Sequence, residues 1–313
     1  MKKHSIILVT VMVSIITPTT LWGKLSLERV YAFFGKYSHE AVVEDEFQLA
    51  QPGTLHLKNN TGNIVITTEW KRNSICLKAV KRAVKENDLS AIHIDVHRNP
   101  EKANELTIHS SFDSSDLKGA IDYQLIVPEQ TTLELSADNG SITINDANGA
   151  IVATTLNGNI TINNTTNTIT AQSEEAGAIT ISNAQGNIKA TTMKGDITIE
   201  NATKSIIATA QRGNINTICS EVPSTSRIVL NTENSGAINL SLPSTVNATL
   251  HGKTLRGRLT SDHYVTIKPF TTKLNRFTRR ELEKQVNGIL GTGEADIRLT
   301  SNGSIRILET KTT

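Results

Sequence analysis

The chain has 313 residues, a formal net charge of +2 and a charged fraction of 20%. This length allows one or two domains with a sizeable core, and the near-balanced charge gives no indication of a nucleic-acid or acidic partner. Aromatic residues make up only 4% of the chain, which is low for a globular enzyme and favours a core of stacked aliphatic side chains.

Residues 1–23 have the pattern of an export signal. A basic start at Lys2 and Lys3 precedes an apolar stretch over residues 5–16, which ends at Thr17-Pro18. Twelve apolar residues are too few to span a bilayer, which takes about 20. Because no Ala-x-Ala cleavage site follows, both removal by signal peptidase and retention as an N-terminal anchor stay open. We expect an exported protein of the periplasm, outer surface or medium, with membrane contact only through residues 1–23 if they are retained.

Residues 24–41 show no repeat, and we interpret them as a linker or short helix outside the main fold. From residue 42 onward, apolar and polar residues alternate between Gly, Pro and Asn punctuation, which is typical of half-buried strands. Further strands are predicted at residues 74–80, 91–96 and 105–109. The loops between them vary in length, so residues 42–135 are predicted to form irregular strands.

From residue 136 to 243 a phrase of the form Gly-x-Ile-x-Ile recurs with little change. Its glycines are 18 or 19 residues apart and lie at Gly140, Gly158, Gly177, Gly195 and Gly213. Successive strand side chains point to opposite faces, so both Ile residues face inward and the residue between them faces outward. Glycine suits a tight corner with a positive φ, and the Asn-Asp, Asn-Asn and Ser-Asn pairs after the second Ile suit the next corner.

These units predict an all-β fold, a single-stranded β-solenoid with rungs of ~18 residues. One such unit cannot bury its own apolar row, so the units must stack. Residues 244–313 are predicted to add C-terminal rungs and a cap within residues 273–290. The cap includes one short helix, which begins at the capping box Thr278-Arg279-Arg280-Glu281 and stops at Gly288.

Several phrases, in this order, resemble one bacterial family, the "putative adhesin" domain. They are Phe47-Gln48-Leu49, Pro52-Gly53-Thr54-Leu55, Gly62-Asn63-Ile64, Trp70, Ile121-Asp122-Tyr123 with Val127-Pro128, Asn139-Gly140-Ser141-Ile142, Gly291-Thr292-Gly293 and Ile297-Arg298-Leu299 with Asn302-Gly303-Ser304-Ile305. The resemblance covers roughly residues 43–307 and implies a β-solenoid-like fold and an envelope location. An adhesive role in that family is inferred from fold, so the resemblance identifies no ligand.

The best candidate metal ligands are His93, Asp95 and His97, which share the outer face of one predicted strand, together with His109 on the next. Imidazole and carboxylate at this spacing could hold zinc if a further ligand approached. The alternative is a solvated strand face, and we predict neither a metal nor another cofactor.

A basic run is a candidate surface for anionic glycan or lipid headgroups, with ordinary surface charge as the alternative. It consists of Lys71, Arg72, Lys78, Lys81, Arg82 and Lys85. The run lacks the interleaved aromatic residues that single-stranded nucleic acid requires, so no nucleic-acid partner is predicted.

Catalytic residues are not predicted. The acidic residues of the regular rungs fall at different repeat positions: Asp146, Glu174, Glu175, Asp196 and Glu200. Enzymes that cut polysaccharides need clustered carboxylates or a basic residue in a groove, and no nucleophile, phosphate or dinucleotide motif is present. The outward residues Thr143, Thr161, Thr180 and Thr198 are explained by β propensity alone, without ice binding. Whether Cys76 and Cys219 form a disulfide or remain two thiols stays open.

Together these observations predict a non-enzymatic, exported β-solenoid that acts as an adhesin-like structural or binding module of the cell envelope. Its partner would be a surface glycan or protein. The alternatives are an envelope-tethered sensing or assembly domain and, less favoured, a β-helical carbohydrate-processing enzyme.

Overall fold

The computed structural model describes residues 37–69, 73–98, 102–267 and 284–310. The described chain forms 25 strands and one 3-10 helix, Glu86–Ala91. The strands form one sheet of 12 and one of 13, and each rung of the coil contributes one strand to each sheet. The predicted all-β solenoid is therefore confirmed.

The strands group into three parts along the chain. The first seven are β1 (His39–Gln48), β2 (Thr54–Thr61), β3 (Ile64–Glu69), β4 (Ser74–Ala83), β5 (Ile92–Arg98), β6 (Glu105–Phe112) and β7 (Gly119–Pro128). The middle twelve are β8 (Thr132–Asn139), β9 (Ile142–Asn145), β10 (Ile151–Asn157), β11 (Ile160–Thr165), β12 (Ile169–Ala176), β13 (Ile179–Ala184), β14 (Ile188–Lys194), β15 (Ile197–Ala202), β16 (Ile206–Arg212), β17 (Ile215–Cys219), β18 (Arg227–Ser235) and β19 (Ile238–Leu242). The last six are β20 (Ala248–Thr254), β21 (Leu259–Ser261), β22 (Thr266–Ile267), β23 (Gln285–Leu290), β24 (Ala295–Ser301) and β25 (Ile305–Glu309).

The regular rungs stack in parallel and in register. Ile160 of β11 pairs with Ile142 of β9 on one side and with Ile179 of β13 on the other. These isoleucines are fully buried, whereas Thr161 between them is partly exposed. The predicted inward Ile and outward Thr are confirmed, and identical side chains fill the core above one another.

The stacking order departs from the chain order at both ends of the coil. The rung β2–β3 lies between β6–β7 and β8–β9, and the rung β24–β25 lies between β18–β19 and β20–β21. Each inserted rung pairs in parallel on both sides. The sequence pattern did not predict this order, because the Gly-x-Ile phrase marks a rung without saying which rung it contacts.

Antiparallel and short strands terminate the two ends of the stack. At the N-terminal end, β4 pairs antiparallel with β7, β1 with β4, and β5 with β6. At the C-terminal end, the outermost strands are β21 with three residues and β22 with two. Short or strongly charged edge strands reduce pairing with another chain, so each end limits uncontrolled growth of the sheets.

Two boundary predictions need correction. Residues 39–41 belong to β1 rather than to a linker, because Ala41 is buried against the core; residues 1–36 lie outside the described part. The helix cannot extend to Gly288, because residues 285–290 form the strand β23 with Val286 and Leu290 buried. The predicted helix start at residues 278–281 lies outside the described residues.

The repeated glycines form a column in which successive rungs almost touch. A Cβ added to Gly158 would lie 1.9 Å from the carbonyl oxygen of Gly140, and one added to Gly177 would lie 1.8 Å from that of Gly158. Only some of the column has a positive φ, such as Gly236 at 132°. The sequence pattern predicted a positive φ at these glycines, which only some of them have. The requirement that all of them share is the close approach of successive rungs.

In several rungs the residue after the corner glycine links consecutive rungs through its side chain. Asn63 Oδ1 accepts the backbone N–H of Ser141 at 3.0 Å, and Asn159 Oδ1 accepts that of Ala178 at 2.8 Å. Ser141 Oγ accepts the N–H of Asn159 at 3.3 Å. These side-chain oxygens thus accept hydrogen bonds from backbone N–H groups at the corner that have no strand partner.

A row of buried hydroxyl groups lies inside the coil next to the glycine corner. Its members in the regular and C-terminal rungs are Thr155, Ser173, Thr192, Thr232, Thr254 and Ser301. Thr155 Oγ1 donates to the carbonyl oxygen of Gly158 at 2.9 Å, and Thr192 Oγ1 to that of Gly177 at 3.0 Å. These two hydroxyls thus supply hydrogen bonds to partly buried corner carbonyls, whereas Ser173 Oγ has no hydrogen-bond partner among the described residues.

The opposite corner contains the only non-glycine residues with positive φ in the described chain: Asp146, Asn164, Asn183 and Asn201. Asn and Asp tolerate this conformation better than other side chains, which confirms the corner role predicted from the sequence. Asn164 Nδ2 donates to Asp146 Oδ1, and Asn183 Nδ2 donates to Asn164 Oδ1, each at 2.9 Å. The amides therefore form a ladder along the coil.

We expect Ile160→Asp to prevent folding, because an unpaired carboxylate would replace a fully buried side chain between two isoleucines. The neighbouring change Thr161→Asp places its charge on the solvent side and should leave the fold intact. Circular dichroism and thermal melting of both variants measure the difference. A folded Ile160→Asp protein would contradict the inward assignment.

We expect Gly158→Ala to destabilise the coil by about 3 kcal/mol, the upper end of the usual cost of overpacking, because the new Cβ must push two rungs apart. Gly158 has no positive φ, so backbone strain does not contribute. The control Asn159→Ala loses one exposed hydrogen bond and should cost about 1 kcal/mol. Denaturant unfolding measures both. If Gly158→Ala were neutral or stabilising, the close approach would not be limiting.

Candidate functional site

The solvent side of the 12-stranded sheet carries regular polar columns. Thr143, Thr161, Thr180 and Thr198 stack directly on one another. The next outward column mixes residue types: Asn145, Asn163, Ser182 and Glu200. Asn163 Nδ2 donates to Asn145 Oδ1 at 2.9 Å. The single threonine column beside a mixed one differs from the paired threonine face that ice binding favours.

The solvent side of the 13-stranded sheet is less uniform and carries shallow grooves. An N-terminal groove of about 470 Å³ is lined by His56, Lys58, His109 and Glu134 among others. A middle groove of about 420 Å³ is lined by Glu174, Glu175, Met193, Gln211 and Glu233 among others. A C-terminal groove of about 300 Å³ is lined by His251, Lys253, Gln285, Asn287, Arg298 and Thr300, with Gly252 and Leu299 beneath them.

The candidate metal ligands lie on one sheet face, as predicted, but point to different partners. His93 Nε2 lies 2.8 Å from Asp113 Oδ1, and Asp95 accepts a hydrogen bond from Ser111 Oγ at 3.0 Å. His109 is the cross-strand neighbour of Asp95. Within residues 37–69, 73–98, 102–267 and 284–310, no group of three or more His, Cys, Asp or Glu side chains is arranged to hold a metal ion.

The basic run is largely neutralised by acidic neighbours. Lys78 Nζ lies 3.4 Å from Glu44 Oε1, and Arg82 Nε lies 2.9 Å from Glu40 Oε1. Arg82 also contacts Asp122 through its Nη1. Acidic residues of β1 and β7 thus flank the basic residues of β4 in the same sheet. Lys78 and Arg82 are therefore paired, whereas Lys85 is exposed and has no ion pair with a described residue.

Lys81, another member of the run, turns toward the protein interior. Its Nζ donates to the backbone carbonyl of Ile92. Burial lowers the pKa of the Lys81 ammonium, and the carboxylate of Asp95 partly opposes that shift. Lys71 and Arg72 lie outside the described residues. Lys81 therefore ties β4 to β5 at the N-terminal end instead of meeting a ligand.

The rung carboxylates have separate structural partners. Asp196 Oδ1 accepts the backbone N–H of Asn214 at 2.7 Å. Glu175 accepts Nδ2 of Asn157 at 3.0 Å. Of the acidic residues singled out by the sequence, Glu174 and Glu175 share a groove with Glu233, whereas Asp146 takes part in the amide ladder at another corner.

The two cysteines are not joined in a disulfide. Cys76 lies in β4 and Cys219 in β17, with six strands between them in the same sheet, which places them about 34 Å apart at about 4.8 Å per strand. Burial raises the pKa of the Cys219 thiol to about 12. A thiol that remains protonated at neutral pH is a poor nucleophile, so Cys219 acts as a core residue.

A basic groove at the C-terminal end is the feature that the sequence reasoning missed. His251 of β20 pairs with Arg298 of β24 on one side and with Asn287 of β23 on the other. Lys253 pairs in the same way with Thr300 and Gln285. These side chains come from three strands that are up to 49 residues apart in the chain. The insertion of β24 beside β20 brings them together.

The polar contacts in this groove leave some of its charge available. His251 Nδ1 lies 3.0 Å from Asn287 Oδ1. Arg298 Nε and Arg227 Nε lie 3.0 and 3.5 Å from the same oxygen of Asp296, so one carboxylate serves two guanidinium groups. Lys253 is exposed and forms no ion pair with any residue that the structure describes. The groove therefore carries net positive charge.

No helix in the described ranges combines the length and apolar character needed to cross a bilayer.

No protein-family model and no curated protein matches the chain. Among solved structures, it is similar to a putative adhesin from Bacteroides fragilis, with 14% identity over 86% of this chain and 97% of that one, at a TM-score of 0.44. A putative adhesin from Parabacteroides distasonis shows 10% identity over 85% of this chain and 97% of that one, at a TM-score of 0.37. A putative cell adhesion protein from Clostridium sporogenes shows 11% identity over 86% of this chain and all of that one (100%), at a TM-score of 0.26. The names agree with the family that the sequence resembles, and likeness at this level identifies no ligand or activity.

Proposed function

We propose that this protein is an exported, non-enzymatic β-solenoid that acts as an adhesin-like binding module of the cell envelope. The observation that carries the proposal is the coil itself. Its ten described rungs form a rod about 45 Å long at about 4.8 Å per rung. Both of its long faces consist of outward side chains held in fixed rows.

Rigidity supports a binding role for these faces. The core rows of isoleucine, the buried hydroxyls and the amide ladder hold the backbone of each rung against its neighbours, which sets the positions from which the outward side chains project. A surface that is already ordered loses little conformational entropy when a ligand binds. Many weak polar contacts can then add up along an extended partner such as a glycan or an extended protein segment.

Several observations favour binding over catalysis. The grooves of the 13-stranded sheet are shallow, with volumes of about 300 to 470 Å³. The middle groove does bring Glu174, Glu175 and Glu233 together, but Glu174 and Glu175 accept hydrogen bonds from the side-chain amides of Gln172 and Asn157.

The buried groups Lys81, Tyr123 and Cys219 have their pKa values shifted mainly by burial. Each is part of the core or of its edge, away from a cleft where a substrate would need a general acid, base or nucleophile.

Export is proposed from residues 1–23, whose basic start and short apolar stretch form a signal pattern. Cleavage near Lys24 would release the solenoid, whereas retention would anchor it. A retained anchor would favour the alternative of a tethered sensing or assembly domain, because a domain fixed to its own membrane has limited reach.

Binding of the purified, labelled mature protein to bacterial and host cells tests the proposal. We expect saturable binding to the surface of at least one cell type by the folded protein. The Ile160→Asp chain, which should not fold, is the matched control for nonspecific adsorption. Equal binding by both chains, or no saturable binding by a protein with a normal melting transition, would contradict an adhesive role.

A further inference from the structure

Charge is distributed unevenly along the coil. The described residues between 37 and 138 (37–69, 73–98 and 102–138) include 15 acidic and eight basic residues, whereas those between 251 and 306 (251–267 and 284–306) include three acidic and six basic residues. The net charge of +2 for the whole chain does not reflect this difference in charge between the two ends. An anionic partner would therefore be attracted to the C-terminal end and repelled from the N-terminal end.

The C-terminal groove is the place where described basic side chains of this end converge on one face. It combines the cations Lys253 and Arg298 with the neutral hydrogen-bonding groups of Gln285, Asn287 and Thr300. The side chain of Arg298 is 55% exposed even though it contacts Asp296. Both cations can therefore reach a ligand lying on the sheet.

The shape of the groove favours a polymer over a small molecule. Its volume of about 300 Å³ is at the lower limit for pockets that enclose a ligand, and it opens onto a long sheet face. Its one large apolar lining residue, Leu299, is buried in the core. The groove exposes no large apolar side chain to hold an acyl chain, whereas amides and a hydroxyl beside two cations match sugar hydroxyls beside carboxylates.

We propose that the C-terminal basic groove binds an acidic polysaccharide, a glycan chain that carries carboxylate groups. The ammonium of Lys253 and the guanidinium of Arg298 contact carboxylates of the chain. Gln285, Asn287 and Thr300 hydrogen-bond to its hydroxyl groups. This proposal rests on the adhesive function proposed above and specifies the face and the ligand class.

The test measures binding of the mature protein to immobilised polygalacturonate, with dextran as the uncharged polysaccharide. The double variant Lys253→Gln, Arg298→Gln should lose about tenfold or more in affinity. The control double variant Lys189→Gln, Arg212→Gln removes two exposed charges from the middle rungs, and its affinity should change less than about twofold. Raising salt from about 50 to about 500 mM should weaken wild-type binding, because exposed charges are screened.

Three results would overturn the proposal. These are equal losses in the two double variants, tighter binding to poly-glutamate than to polygalacturonate, and binding to phosphatidylglycerol vesicles but not to the polysaccharide. Thermal melting checks that each variant folds. The single variant Lys253→Gln, which breaks no described ion pair, should retain the fold and still bind polygalacturonate more weakly than wild type.

Binding to cells distinguishes a failure of the groove proposal from a failure of the proposed adhesive function. If cells bind wild type and the Lys253→Gln, Arg298→Gln variant equally, the groove is not the ligand surface, but the adhesive function stands. If wild type binds neither cells nor the acidic polysaccharide, both proposals are wrong.

Discussion

Successive rungs of this protein leave no room for a side chain at the glycine corner, where the backbone of one rung lies against the carbonyl group of the next. A single added methyl group at Gly158 would lie 1.9 Å from the Gly140 oxygen. This contact fixes the register of both sheets, because a slip of one residue would bring a side chain into the corner. Buried hydroxyls such as those of Thr155 and Thr192 then donate to corner carbonyls, and the isoleucine rows close the core around them.

Because every rung makes the same kind of contact with its neighbours, the rungs need not stack in the order in which they occur in the chain. Any strand pair with a glycine corner and an inward apolar row fits between two others, as β24–β25 does between β18–β19 and β20–β21. At the C-terminal end this insertion sets Arg298 beside His251. At the N-terminal end, acidic and basic strands lie side by side and neutralise one another. The fold thus pairs the basic residues Lys78 and Arg82 at the N-terminal end, whereas Lys253 at the C-terminal end stays exposed without an ion pair to any described residue.

The sequence predicted the fold class, the regular rungs and the inward and outward residues, because a repeat of ~18 residues repeats its burial pattern as well. It predicted neither the insertions nor the C-terminal groove, because strand order depends on contacts between distant segments. The prediction that a helix ends at Gly288 was wrong, because residues 285–290 form the strand β23. Burial of Val286 and Leu290 against neighbouring strands outweighs the local capping pattern. The basic run was evident in the sequence, but its neutralising partners Glu40 and Asp122 lie about 40 residues from Arg82.

Disulfide formation between engineered cysteines tests the position of the inserted rung β24–β25 most directly. Both the C-terminal end of the fold and the proposed groove depend on that position. Asn239 of β19 pairs with Arg306 of β25, which in turn pairs with Thr260 of β21. We predict that Asn239→Cys with Arg306→Cys forms a disulfide under mild oxidation, located by mass spectrometry, because neighbouring strands lie about 4.8 Å apart. Asn239→Cys with Thr260→Cys should remain reduced at about twice that distance. The reverse result would show that the rungs stack in chain order and would contradict this account.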